Sequence, residues 1–211
     1  HLPFNDRIAA LEVGVDENDQ ILAPDEYSSP EKLLFYGSSI TDGYCASIPS
    51  NTYSAMLCRW LDCDYQNLGF DGMAKGETAM AEIIAKKDFS IFVMDYDHNA
   101  PTPEHLAATH EPFFKIVRAA HPTAPVIFCS RPNFFENPAE SILRRDIILQ
   151  TYQNARKAGD ENVYFVNGES YFGAFGAECC TVDCCHPTDL GFFRMAERIY
   201  SVVQSILNRG R

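Results

Sequence analysis

Three side chains in this sequence could together make a nucleophile out of a hydroxyl. Ser39 lies in Gly37-Ser38-Ser39-Ile40-Thr41-Asp42-Gly43, and Asp183 and His186 lie in Asp183-Cys184-Cys185-His186-Pro187-Thr188-Asp189-Leu190-Gly191. A serine hydroxyl is a weak nucleophile until a base takes its proton, and a carboxylate commonly holds that base in place. Aspartate and histidine three residues apart in one loop can supply both. Ser39 follows the short apolar run Leu33–Tyr36, so it falls where a strand turns sharply and exposes a hydroxyl at the sheet's carboxyl edge. The plainer role for Ser38 and Ser39 is to cap the next helix. The Asp–His pair near the other end of the chain favours Ser39 as a nucleophile.

Further polar residues follow other apolar runs. Asn67-Leu68-Gly69 ends the second, Asp97-His98-Asn99 follows the third, and Arg131 follows the fourth. Loops at the carboxyl edge of a parallel sheet converge on one crevice. A hydroxyl, a backbone amide, a carboxamide and a guanidinium would then meet there, as acyl transfer needs. Arg131 could bind a substrate carboxylate or hydroxyl, or serve as a cap or salt-bridge partner. Asp95, Asp97 and His98 could suggest a metal site but read more simply as solvated loop residues. His105, His110 and His121 read as surface residues. Phe134-Phe135 and Tyr171-Phe172 could wall an acyl or sugar pocket or simply cover the core, and Glu77 fits the first turn of a helix.

The elements that must position these residues alternate. Strands are expected over Leu33–Tyr36, Tyr65–Leu68, Ser90–Asp95, Val126–Ser130 and Val163–Asn167, each short and apolar on both faces, as in a covered parallel sheet. Helices are expected over Thr52–Leu61, Glu77–Lys86, Glu104–Ala120, Ser141–Ala158 and Asp189–Leu207. In the last, Phe192, Met195, Ala196, Ile199, Val202, Val203 and Ile206 recur at helical spacing. Five such alternations predict an α/β fold, a three-layer α/β/α sandwich on a five-stranded parallel sheet. Residues 1–30 read differently. Ile8 to Val15 alternates like a strand, and Ala23-Pro24 to Ser29-Pro30 reads as a linker. This stretch is expected to be an extension packed on the surface of the 31–211 domain, or the tail of an upstream domain.

At 211 residues, 46% hydrophobic and 22% charged, the chain suits one globular domain. Its formal net charge of -12, from 17 basic and 29 acidic residues, argues against nucleic acid or an anionic membrane as the main partner. No run is long enough for a membrane span. The chain begins at His1 rather than Met, so the amino terminus leaves both a cytoplasmic and a secreted compartment open. Of the eight cysteines, Cys179-Cys180 and Cys184-Cys185 flank His186, but not at zinc-ribbon spacing. A Cys180–Cys185 disulfide is one expectation for this loop. Free thiols in a reducing cytoplasm are the other.

Gly37-Ser38-Ser39-Ile40 resembles the Gly-Asp-Ser-Leu block of the GDSL, or SGNH, hydrolase superfamily. Asp183-x-x-His186 with Pro187 and Gly191 resembles its last block, and Asn67-Leu68-Gly69 and Asp97-His98-Asn99 resemble its two middle blocks. Ser38 stands where the family has Asp, and Asp97 and Ala100 stand in place of Gly and Asp around Asn99. The resemblance implies the flavodoxin-like strand order 2-1-3-4-5 and a Ser39–His186–Asp183 triad. It also implies oxyanion donors from the Ser39 and Gly69 amides and the Asn99 side chain, with no cofactor or metal. A small-molecule ester substrate is expected, with a short acyl group on a carbohydrate or small polar alcohol, since the chain is acidic and carries no long apolar lid. Two other readings stand beside it. One is a non-catalytic binding module, suggested by the altered residues around Asn99. The other is a metal-dependent phosphoesterase using Asp95, Asp97, His98 and His186.

Overall fold

The computed structural model describes residues 9–132 and 135–209. Its five strands are β1 (Lys32–Gly37), β2 (Asp64–Gly69), β3 (Ile91–Asp95), β4 (Val126–Cys129) and β5 (Val163–Val166). All pairings are parallel and the order is β2-β1-β3-β4-β5, the expected flavodoxin-like arrangement. Among the described residues six α-helices accompany them: α1 (Ser39–Asp42), α2 (Tyr53–Leu61), α3 (Thr78–Ile84), α4 (Pro103–Ala120), α5 (Pro138–Lys157) and α6 (Asp189–Arg209).

Side chains alternate across each strand, so the central strands feed two cores. Leu33, Phe35, Ile91, Val93 and Ile127 point to α2 and α6, where they meet Leu57, Phe192, Met195 and Ile199. Leu34, Tyr36, Phe92, Met94 and Phe128 point the other way, to α3, α4 and α5. Burying an aliphatic or aromatic side chain of this size contributes about 1.5–3 kcal/mol. The two faces therefore hold the sheet rigidly, and its carboxyl edge is a fixed platform.

Helix starts are set by residues that satisfy the first free amides. Thr102 accepts from the His105 amide ahead of Pro103, and Asn137 accepts from the Glu140 amide ahead of Pro138. A polar cap followed by proline at the first helical position suits a helix start, because that position has no amide bond to lose. For this reason α5 begins three residues earlier than its apolar periodicity suggests.

The strand expected over Ile8–Val15 does not form among the described residues, which exclude Ile8. Residues 9–15 lie outside any element, and residues 9–28 are exposed rather than packed on the domain. Alternation says which face of a strand would be buried, but a strand also needs an edge to pair with. The first anchors come at Ser28 and Ser29, whose amides donate to the Asp62 carboxylate and carbonyl at 2.9 and 3.0 Å.

His110 is buried rather than on the surface. It lies against Tyr96 and Phe128, and its Nδ1 is 3.0 Å from Thr151 Oγ1. Desolvation depresses its pKa to about 3, so it is a neutral core histidine.

Candidate active site

At the end of β1 the chain has no room for a side chain. A Cβ on Gly37 would lie 2.0 Å from Thr41 Oγ1 and 2.3 Å from the Asp95 carbonyl oxygen. Glycine lets the chain turn there directly into α1. Ser38 caps that helix, its hydroxyl accepting from the Ile40 amide at 3.2 Å. Capping thus falls to Ser38, and Ser39 keeps its hydroxyl for other work.

Ser39 Oγ lies 2.9 Å from His186 Nε2, and His186 Nδ1 lies 2.6 Å from Asp183 Oδ2. The ionised carboxylate can only accept, which assigns the proton on the ring to Nδ1 and leaves Nε2 to accept from Ser39. Asp183 Oδ1 accepts from the His186 and Cys185 amides at 2.7 and 3.0 Å, so the loop orients the carboxylate before it orients the ring. Partial burial pushes the Asp183 carboxyl up. Hydrogen bonds from the His186 ring and these two amides outweigh it and hold the carboxyl at about 2. The loop is itself pinned by a bridge between Thr181 and Pro187 and by the Val182 amide on the His186 carbonyl at 3.0 Å. Tyr44 packs edge-on to the His186 ring, with centroids 4.8 Å apart.

Beside Ser39 the ends of β2 and β3 bring candidate donors. Its own amide, at the first helical position, has no acceptor among the described residues, as expected for a helix start. Asn99 Oδ1 accepts from the Ala74 amide at 3.1 Å, while its Nδ2 makes no hydrogen bond among the described residues. The Gly69 amide differs from expectation, because it already donates to Asn67 Oδ1 at 2.8 Å. Its glycine has a steric reason, since a Cβ there would lie 2.1 Å from the Asp42 amide nitrogen.

The free amides come slightly later. Phe70 donates to the Gly37 carbonyl at 2.9 Å, so residues 70–74 run between the Ser39 turn and Asn99. Within that span the Asp71 and Gly72 amides have no acceptor among the described residues, and Gly72 has φ +66°. Sequence reading missed Gly72. Its signal is the second glycine of Gly69-Phe70-Asp71-Gly72, where a positive φ favours glycine.

The residues around Asn99 also have a structural reason. Asp97 is buried, not solvated; its Oδ2 accepts from the Arg131 amide at 2.9 Å, and its Oδ1 lies 3.4 Å from Arg144 Nη1. Arg144 Nη1 also donates to the Asp97 and Ala100 carbonyls, each at 3.0 Å. One guanidinium from α5 thereby clamps both ends of the turn that carries Asn99. Desolvation still raises the Asp97 carboxyl, outweighing the two nearby guanidinium groups. Arg131 Nε donates to Ser141 Oγ at 3.1 Å, and its Nη2 lies 3.7 Å from Glu140.

Asp95, Asp97, His98 and His186 do not converge as ligands. Asp95, also buried, bonds Thr41 and Tyr53; Asp97 faces the arginines; His98 Nδ1 lies 3.9 Å from Cys185 Sγ; and His186 faces Ser39. No group of three or more His, Cys, Asp or Glu suited to a metal ion occurs among the described residues. Desolvation, and then the Arg131 and Arg144 charges, hold the His98 pKa at about 3.

All eight cysteines are free, so the Cys180–Cys185 disulfide does not form. Cys180 Sγ turns to the Gly176 carbonyl and Arg194, while Cys185 faces His98. Tyr171 and Phe172 are buried and cover the core; of the pair Phe134-Phe135, Phe134 lies outside the described residues and Phe135 is exposed.

A cavity of about 410 Å³ adjoins the loop that carries Asp183 and His186, lined by His98, Arg131, Glu140, Ser141, Cys184 and Cys185 among others. A larger one, about 670 Å³, lies between the ends of α4 and α5 near Arg118 and Asp160 and holds none of this chemistry. No helix among the described residues is long and apolar enough to cross a membrane.

A serine, a histidine and an aspartate hydrogen-bonded in series at the carboxyl edge of a flavodoxin-like sheet define the SGNH hydrolase class. The chain belongs to the GDSL-like lipase/acylhydrolase family, whose model matches residues 31–204. Among solved structures it is similar to one from Bacteroides ovatus described as a GDSL-like lipase: 31% identity, TM-score 0.78, covering 88% of this chain and 55% of that one. It is also similar to a salicylyl-acyltransferase from a tetracycline biosynthetic pathway, at 25% identity and TM-score 0.73, covering 85% and 56%. A family two carbohydrate esterase from Clostridium thermocellum, solved with cellohexaose, shares the fold at 19% identity and TM-score 0.71, covering 89% and 67%. The chain thus spans only about half the length of the first two, at 55% and 56%. No curated protein matches the sequence.

Proposed function

We propose that the protein is a serine esterase that cleaves a short acyl ester of a carbohydrate or small polar alcohol through an acyl-enzyme on Ser39. The observation that carries this reading is the series Ser39 Oγ–His186 Nε2–Asp183, at 2.9 and 2.6 Å. Ser39 Oγ attacks the ester carbonyl while His186 Nε2 takes its proton. Asp183 stabilises the imidazolium that forms. The oxyanion is held by the Ser39 amide, Asn99 Nδ2 and an amide of the 70–74 loop, Gly72 in place of Gly69. His186 then gives its proton to the leaving alcohol, and water activated by the same ring releases the acid.

The polar lining of the cavity beside the catalytic loop supports a hydrophilic alcohol. So does the fold shared with a two-domain esterase active on acetylated mannans, at 21% identity and TM-score 0.63. The test is reaction with a serine-reactive phosphonate, mapped by mass spectrometry, alongside hydrolysis of a chromogenic acetate ester. The adduct is expected on Ser39, and Ser39→Ala should lose both adduct and hydrolysis while keeping its fold. An adduct on Ser38, or full activity in Ser39→Ala, refutes the assignment.

A further inference from the structure

Beneath α1 lies a buried carboxyl that the mechanism above does not use. Asp95 ends β3 beside Gly37 and is 4% exposed. Its Oδ2 accepts from Thr41 Oγ1 at 3.1 Å and from the Tyr53 hydroxyl at 3.0 Å. Tyr53 also reaches Thr41 Oγ1 at 3.2 Å, and Asn67 Nδ2 donates to the Thr41 carbonyl. Thr41 belongs to the same four-residue helix as Ser39, a helix too short to hold itself by its own hydrogen bonds. The groups facing Asp95 are Thr41 from α1, Tyr53 from α2, Cys129 from β4, Tyr171, and Asp97. No basic side chain bonds to it among the described residues.

We propose that Asp95 is a positioning residue for the nucleophile, acting through Thr41: its ionised carboxylate accepts the Thr41 and Tyr53 hydroxyls and locks α1, and its protonation loosens that lock. The inference rests on the esterase reading for its effect on rate. An ionised carboxylate accepts only, and its hydrogen bonds are about twice as strong as neutral ones. Once protonated on Oδ1, it leaves Oδ2 as a neutral carbonyl acceptor, and the two hydrogen bonds weaken. Burial, and then the nearby Asp97 charge, raise this carboxyl to about 7 against the hydrogen bonds from Tyr53 and Thr41, so both forms are populated near neutral pH.

The test compares kcat/KM of the wild type with Asp95→Asn and Thr41→Val across pH, with an acetate ester as substrate. Asp95→Asn is a permanent stand-in for the protonated acid. The ratio of wild type to Asp95→Asn should rise from about one near pH 5.5 to about tenfold near pH 8.5, the difference between a charge-assisted and a neutral hydrogen bond. The change should lie in kcat, with KM held within about twofold. Thr41→Val should behave alike, and Thr41→Ser, which keeps the hydroxyl, should keep the wild-type profile. Effects of pH common to all these proteins cancel in the ratio. A residue that only supports the fold would give a ratio independent of pH, and that result overturns the proposal.

The amide resonances of Ser39–Gly43 give a second readout that needs no activity. The difference in their positions between the wild type and Asp95→Asn should change with a midpoint at about 7, because the effects of His186, bonded to Ser39 in both proteins, cancel. A difference that does not change with pH also overturns the proposal. If the wild type hydrolyses no ester but the difference changes as stated, the esterase reading fails and the positioning device stands.

Discussion

Replacing Asp95 by asparagine should make the pH dependence of stability visible in one subtraction. The carboxyl is raised from 3.8 to about 7 in the folded protein, with burial as the leading cause. A group raised on folding contributes stability that is fully present below its unfolded pKa and is lost as pH rises through its folded pKa. The wild type should therefore lose about 4 kcal/mol from this one group between about pH 4 and pH 8. Asparagine does not ionise and loses nothing over that range. Its amide does place a new donor at Oδ1, which has no partner among the described residues, and an unmet buried donor costs about 1–3 kcal/mol at every pH. Asp95→Asn should thus be less stable than wild type near pH 4, and equal or more stable near pH 8.5. The gap should change by about 4 kcal/mol, or roughly 8–16 °C in Tm for a chain of this size. Urea unfolding followed by circular dichroism at each pH measures it, and other titrating groups cancel between the two proteins. A gap of the same size at both pH values would refute the account of Asp95 as a buried, uncompensated carboxyl.

Other outcomes follow from the same geometry. Asn99→Ala should lower kcat by about 10²–10³ with little change in KM, the loss seen when one oxyanion donor is removed, as steady-state kinetics would show. Asp183→Asn should lower kcat by on the order of 10⁴, because the ring loses the acceptor that fixes its tautomer. Asp183 is held at about 2, so its contribution to stability is present above 3.8 and lost as pH falls through about 2, which acid titration of the wild type against this variant would show. Arg144→Ala leaves Asp97 buried without its clamp and should cost about 3–5 kcal/mol of stability by urea titration, with loss of activity through Asn99. Eight free thiols should be counted in denaturant on protein never exposed to reductant, and reductant should not change activity.

Local pattern carried much of this molecule. Short two-faced apolar runs alternating with amphipathic stretches implied a parallel α/β sheet, because side-chain periodicity is a property of the nearby chain. The same alternation placed Ser39, Asn99 and Arg131 after strands, and so at one edge. Helix starts at Thr102-Pro103 and Asn137-Pro138 were equally local, though apolar periodicity alone overlooks them. What remained depended on partners far away in sequence. Nothing near Gly69 indicates that Asn67 takes its amide, or that the open amides come at Asp71 and Gly72. Asp95 meets Thr41 across 54 positions and Asp97 meets Arg144 across 47, so two apparent loop carboxylates became buried braces. An alternating run at residues 9–15 found no edge to pair with, and Cys180 and Cys185 turned to different neighbours. Burial, hydrogen-bond occupancy and ionisation are set by which groups packing brings together, and only the tertiary structure decides that.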